Sequence, residues 1–112
     1  MNIVVLTGAL SSDPKQRRLP SGDELVSYEV STETADGVAS VPVAWFKPSR
    51  PPAVSKGDIV TVVGHARRRF FRAGGGAASR TEVVAALVAR PDSKRSTKAL
   101  QAAMAALAEV AS

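Results

Sequence analysis

The strongest constraint on this chain is the way its first ninety residues alternate between short β-branched runs and turn-forming punctuation. Asn2 to Thr7 is β-branched and apolar, and Gly8 interrupts it. Asp13-Pro14 and Leu19-Pro20-Ser21-Gly22 are turn sequences flanking a basic run of Lys15, Arg17 and Arg18. From Leu25 to Thr32, Val26, Tyr28 and Val30 fall on one face, and Ser27, Glu29 and Ser31 on the other, which is the pattern of a half-buried strand. Ala35-Asp36-Gly37 turns the chain into a strand from Val38 to Phe46. Residues 47 to 52 hold three prolines and exclude regular structure. Lys56-Gly57-Asp58 leads into a strand from Ile59 to Gly64 that runs on to Arg72. Ala73 to Ser79 reads as a flexible hairpin connection, and Arg80 to Ala89 as the last strand. Five short, evenly spaced strands predict a small all-β barrel or sandwich.

At 112 residues the chain supports one domain, which can bury roughly 65% of its unfolded surface and so needs no staples. Cysteine is absent, which removes disulfides, thiolate metal sites and a cysteine nucleophile. A single histidine, His65, all but removes a zinc site or a Ser-His-Asp arrangement. Gly74-Gly75-Gly76 lacks the Lys-Ser/Thr ending and following helix of a phosphate loop. The carboxylates form no evident acid–base pair. The expectation is a non-enzymatic protein with no cofactor and no metal. No apolar run approaches the ~20 residues of a membrane helix and no signal peptide is evident, so no membrane partner and a cytoplasmic location are expected.

Pro91 ends the sheet-like region, and residues 91–112 differ in character. Lys94, Arg95 and Lys98 make their start basic, and seven of the last fourteen residues are alanine. Leu100, Met104, Leu107 and Ala111 recur at helical spacing, so a helix is expected with Asp92 or Ser93 as its N-cap. Such a helix is either lightly docked on its own domain or a surface for a partner.

Net charge is +5. Residues 1–91 hold twelve Lys and Arg against eight Asp and Glu, and Arg67, Arg68, Arg69 and Arg72 equal that whole excess. These four arginines share six consecutive residues with Phe70 and Phe71. Period-two geometry puts Arg67, Arg69 and Phe71 on one face of a strand, and Arg68, Phe70 and Arg72 on the other. Neither face can be ordinary core, because isolated charges are too costly to bury. The strand end therefore projects beyond the sheet or lines an open groove. Guanidinium groups beside aromatic rings suit a single strand of nucleic acid, which offers phosphates and stackable bases. The competing reading is a solvated hairpin whose two phenylalanines pack beneath the barrel. On the preceding strand, Val41, Val43 and Trp45 form the apolar set, so Trp45 is assigned to the core. Phe46, beside Lys47, is the better candidate for stacking.

In order along the chain, these motifs resemble the bacterial single-stranded-DNA-binding proteins. The resemblance rests on Asn2 to Leu10, Asp13-Pro14, Arg17, Leu19-Pro20-Ser21-Gly22, Val30-Ser31-Thr32 and Val43-Ala44-Trp45-Phe46. It continues through Lys56-Gly57, the run Ile59 to Gly64, Arg67 to Phe71, and Thr81-Glu82-Val83-Val84, and so covers residues 1 to about 90. It implies an OB-fold barrel of five strands over residues 1–90, followed by the basic, alanine-rich tail, a helix or a flexible segment. The implied function is sequence-independent binding and protection of single-stranded DNA in replication, recombination or repair. The resemblance further implies a homo-oligomer, a tetramer in preference to a dimer, located in the cytoplasm and with the nucleoid when bound.

Phe46 and Phe71 match stacking positions of that family, and Arg67, Arg69 and Arg17 match basic positions. Together with Arg18, Lys47, Arg68 and Arg72 they make up the expected interface. The sequence also departs from the family. Ser40 stands where a Trp is common, on the Phe46 face, and the short segment Glu33 to Gly37 has no place for another. The long linker and acidic tip of such proteins have no counterpart, so tip-dependent recruitment of replication enzymes is not expected. The alternative is a primosome-like OB-fold accessory or assembly module acting mainly through protein contacts.

Overall fold

The computed structural model describes residues 1–111. The described chain contains six strands and a helix: β1 (Val4–Leu10), β2 (Lys15–Arg18), β3 (Glu24–Thr34), β4 (Gly37–Phe46), β5 (Ile59–Ala73), β6 (Gly76–Ala89) and α1 (Lys94–Ala111). All five expected strands are present. The sixth, β2, is the basic run that the sequence sets between two turns. Its four side chains are all exposed, so no apolar alternation marks it. It pairs through its backbone with β3, Lys15 opposite Ser27 and Arg17 opposite Leu25.

The sheet order is β1-β5-β6-β4-β3-β2, and β1 also pairs with β3, which closes the barrel. Antiparallel pairing of β1 with β5 runs from Val4–Gly64 to Ala9–Ile59. At its end β1 passes to β3, with Ala9 opposite Ser31 and Leu10 opposite Val30. A short parallel contact between β4 and β6 completes the ring at Val43–Val83 and Ala44–Val84.

Inside lie Leu10, Val26, Val30, Val60, Val62 and Val88, all nearly inaccessible, with Tyr28, Val43 and Trp45 packed among them. Trp45 is 3% exposed and belongs to the core, as its parity predicted. Burial pushes the Tyr28 phenol up to about 12, because a phenolate is poorly solvated there. Between β4 and β5 the proline-rich segment takes the place of regular structure. It is held by Arg90, which donates to Ala53 O at 2.8 Å, and by Arg95, which donates to Ser49 O and Arg50 O at 2.7 and 2.8 Å.

α1 begins at a true cap. The Ser93 hydroxyl accepts the Ser96 amide at 3.1 Å, and the fully buried Ser96 hydroxyl donates to Arg90 O at 2.7 Å. The first turns dock on β5 and β6, with Ala99 against the core. Further along, Met104, Leu107 and Val110 stay exposed. The helix is therefore docked only through its start. Ser112, the end of the expected tail, lies outside the described residues.

One irregularity aims the site. Val63 faces Leu87 but Gly64 faces Ala85, so Ala86 is an extra residue in β6. This bulge adds twist where β5 and β6 leave the barrel. Glycine is required at position 64, where a Cβ would sit 2.1 Å from Val84 O. Beyond the pairing of Val83 with Val43, from Arg67 and Glu82 onward, the two strands continue as a free ribbon. It is closed by Gly74 and Gly75, whose φ values of 55° and 84° give the tight two-residue turn that suits twisted strands. The expected flexible connection from Ala73 to Ser79 is thus mostly strand, because that turn needs only two residues.

Candidate nucleic-acid interface

The ribbon register settles which side chains meet. Arg67 pairs with Glu82, Arg69 with Arg80 and Phe71 with Ala78, so these six share one face. On the barrel, Leu25 pairs with Phe46, Ser27 with Ala44 and Glu29 with Pro42, and Arg17 of β2 lies opposite Leu25. The twist between ribbon and barrel brings these two surfaces together around a groove of about 410 Å³. Arg17, Phe46, Arg67 and Arg69 line it, along with Glu29, Arg80 and Glu82. A second hollow of similar size, about 420 Å³, lies against the proline-rich segment and has no arginine or lysine in its wall.

Of the nine expected residues, four thus line the groove. Phe71 continues the same face further along the ribbon and is 38% exposed. Arg68 and Arg72 are on the ribbon's opposite face. Arg18 is turned into its own hairpin, donating to Gly22 O at 3.2 Å and lying 3.5 Å from Glu24. Lys47 also stands outside the groove. Its amide extends the β3–β4 ladder by donating to Glu24 O at 2.8 Å, and its ammonium lies 3.8 Å from Asp23. Phe70 is 73% exposed, so the ribbon does not tuck its two phenylalanines beneath the barrel.

Not anticipated from the sequence are Glu29, Arg80 and Glu82. Glu82 is 4% exposed, and its carboxylate lies 3.3 Å from Arg67 Nη2 and 3.9 Å from Arg69 Nη1. A buried carboxylate needs such partners, and two half-exposed guanidiniums supply them. Glu29 accepts from Arg80 at 3.0 Å and from the Ser40 hydroxyl at 3.3 Å. Arg67 also stands over Phe46, with its guanidinium carbon 5.3 Å from the ring centroid. A signal for Glu82 was present. A two-residue turn at Gly74-Gly75 pairs Ala73 with Gly76, and counting back along both strands sets Arg67 against Glu82.

The root of the ribbon is also fixed. The Asn2 side-chain amide donates to Ala66 O at 2.7 Å and accepts the Ala66 amide at 2.9 Å, as a further residue of β1 would. The groove therefore offers an aromatic face, four guanidiniums, two carboxylates and a wall bonded to Asn2 at its root. Among the described residues there is no group of three or more His, Cys, Asp or Glu side chains able to hold a metal ion.

No protein-family model matches the chain, and no curated protein matches it. Among solved structures it is similar to the wild-type single-stranded DNA binding protein from Thermus aquaticus, with a TM-score of 0.64 and 22% sequence identity. The fold is an OB-fold. The match covers 83% of this chain but only 41% of the Thermus protein. In this OB-fold the five expected strands are present, β2 is a further strand at the sheet edge, and the β5–β6 ribbon walls the groove.

Proposed function

We propose that this protein binds single-stranded DNA without sequence preference, in the groove between the β3–β4 surface and the β5–β6 ribbon. The observation that carries the reading is the convergence of Phe46, Arg67 and Arg69 on one open groove of an OB-fold. Phe46 supplies a platform for a base, since every base has a π-face. Arg17, Arg67, Arg69 and Arg80 supply charge for phosphates. The Glu29 and Glu82 carboxylates, which could accept from a base edge, are already taken up by Arg80, Arg67 and Arg69, and a ring stacks on any base, so the binding is sequence-tolerant. The similar fold of the Thermus single-stranded DNA binding protein supports the same reading.

Electrostatics set the style of binding. Arg67, Arg69 and Arg80 already have carboxylate partners, so a phosphate must compete with Glu82 and Glu29 for them. Ser40, where a Trp would add a second platform, instead donates a hydrogen bond to Glu29. Binding is therefore weaker and more salt-sensitive than in a groove lined with several aromatic rings. In the cell, binding of this kind protects exposed strands during replication, recombination or repair.

The reading is tested by titrating labelled oligo(dT) and a duplex of equal length with the protein and following anisotropy. The single strand is expected to bind at least tenfold more tightly. Equal affinity for both forms would contradict it. A second reading, an assembly module acting through protein contacts, has one specific support in the exposed Met104, Leu107 and Val110 of α1. Loss of self-association on deleting residues 92–112, with oligo(dT) affinity intact, would assign the helix to that role.

A further inference from the structure

The two faces of the β5–β6 ribbon differ in a way the groove alone does not explain. On the groove face every arginine of the ribbon is matched: Arg67 and Arg69 by Glu82, and Arg80 by Glu29. On the opposite face Arg68, Phe70 and Arg72 pair across the ribbon with Thr81, Ser79 and Ala77. No acidic side chain stands on that face of the ribbon. Among the described residues, Arg68 and Arg72 have neither an ion pair nor a hydrogen-bond partner. Phe70 between them is 73% exposed, the most exposed of the three phenylalanines, and covers no part of the core.

These observations select a ligand chemistry. Successive same-face positions on a strand are about 7 Å apart, so the face presents cation, ring and cation in a row. The small residues across the ribbon leave the ring open to a flat partner. A partner with repeated negative charge and flat apolar surfaces between the charges matches this row. We propose that the outer face of the ribbon, Arg68, Phe70 and Arg72, is a second single-strand contact, so that one ribbon holds two segments of nucleic acid on opposite sides. The proposal rests on the groove being the first contact. The two sites differ in kind. In the groove a phosphate displaces a carboxylate, whereas on the outer face it meets free guanidiniums.

The two segments come either from one strand turning around the ribbon or from two strands held back to back. The test counts short oligonucleotides. Oligo(dT) of about eight nucleotides is titrated at low salt, with the stoichiometry read by native mass spectrometry. Two variants are compared with the unaltered chain: R68S/F70S/R72S on the outer face and F46A/R69A in the groove. A third, R68E/R72E, keeps Phe70 and reverses the charge. All outer-face positions are exposed, and Trp45 emission with thermal unfolding reports that each variant is folded.

The unaltered chain is expected to take up two oligonucleotides. The outer-face variants should take up one, with the remaining affinity unchanged, and the groove variant should also take up one. With an oligonucleotide four times as long, one molecule per chain identifies a single strand turning around the ribbon, and two identify separate strands. Saturation of the unaltered chain at one oligonucleotide, with the outer-face variants indistinguishable from it, overturns the proposal and leaves the groove reading standing. Loss of all binding in the outer-face variants with none lost in the groove variant overturns the groove reading instead.

Discussion

The Arg67 guanidinium stands 5.3 Å from the centre of the Phe46 ring, while its Nη2 lies 3.3 Å from the buried Glu82. One side chain thus ties together the β4 platform, the β5 ribbon and the β6 carboxylate. That triple contact makes the groove a preformed surface, and its parts can be removed separately.

Removing the platform is the first case. Phe46→Ala takes away the ring and the cation–π contact, worth ~0.5–1 kcal/mol at an exposed site. Single-strand affinity is expected to fall by about 1–3 kcal/mol, roughly fivefold to 150-fold, measured by anisotropy with oligo(dT). Phe46 is only half-buried, so the melting temperature should fall by no more than a few degrees. An unchanged affinity would show that bases do not stack there.

Glu82→Gln tests the competition between carboxylate and phosphate. The amide keeps the shape but frees Arg67 and Arg69 from an anion, so oligo(dT) affinity should rise about threefold to tenfold at low salt. A fall in affinity would show that Glu82 serves mainly to hold the two arginines in place.

The contrast between these two residues explains how much of the site was legible in the sequence. Phe46 and Trp45 were separable because strand parity is a local property, and the apolar run Val41, Val43 and Trp45 marks its own face. Arg67, Arg69 and Phe71 followed from the same argument. Glu82 depends on a partner fifteen residues away, and its placement requires the turn to be located to the residue. The segment Ala73 to Ser79 offers three glycines, which hide that position until the backbone shows the turn at Gly74-Gly75. β2 escaped for a different reason. Its residues are exposed on both faces, so hydrophobic periodicity carries no information about it. The convergence of barrel and ribbon was equally illegible, because it comes from the bulge at Val63–Gly64 and from strand twist.

Gly64→Ala probes that bulge. The added Cβ would meet Val84 O at 2.1 Å and Ala85 Cα at 2.9 Å, so backbone must move. A loss of roughly 3 kcal/mol and a drop in melting temperature of at least about 10 °C are expected in thermal unfolding. A drop of one or two degrees would mean that the ribbon root is pliable.

Tyr28, the single tyrosine, gives a pH test of the barrel interior. Its phenol is raised from 10.0 to about 12 by burial. The folded state holds this proton more tightly than the unfolded state. The associated stability is therefore fully present below pH 10, and about 2 kcal/mol of it is lost as pH rises to 12. Phenolate absorbance should appear near pH 12 while the protein remains folded, or abruptly on alkaline unfolding. Titration near pH 10 in the folded protein would place the phenol in water.

The most direct test of single-strand binding in the groove is the oligo(dT) affinity measured across a range of salt concentrations. Each phosphate neutralised on a single strand contributes a slope of about −0.7 in log affinity against log salt. Contacts from Arg17, Arg67, Arg69 and Arg80 predict a slope of about −3 for a short oligonucleotide that fills the groove. A slope near zero, or no binding at low salt, would contradict the account.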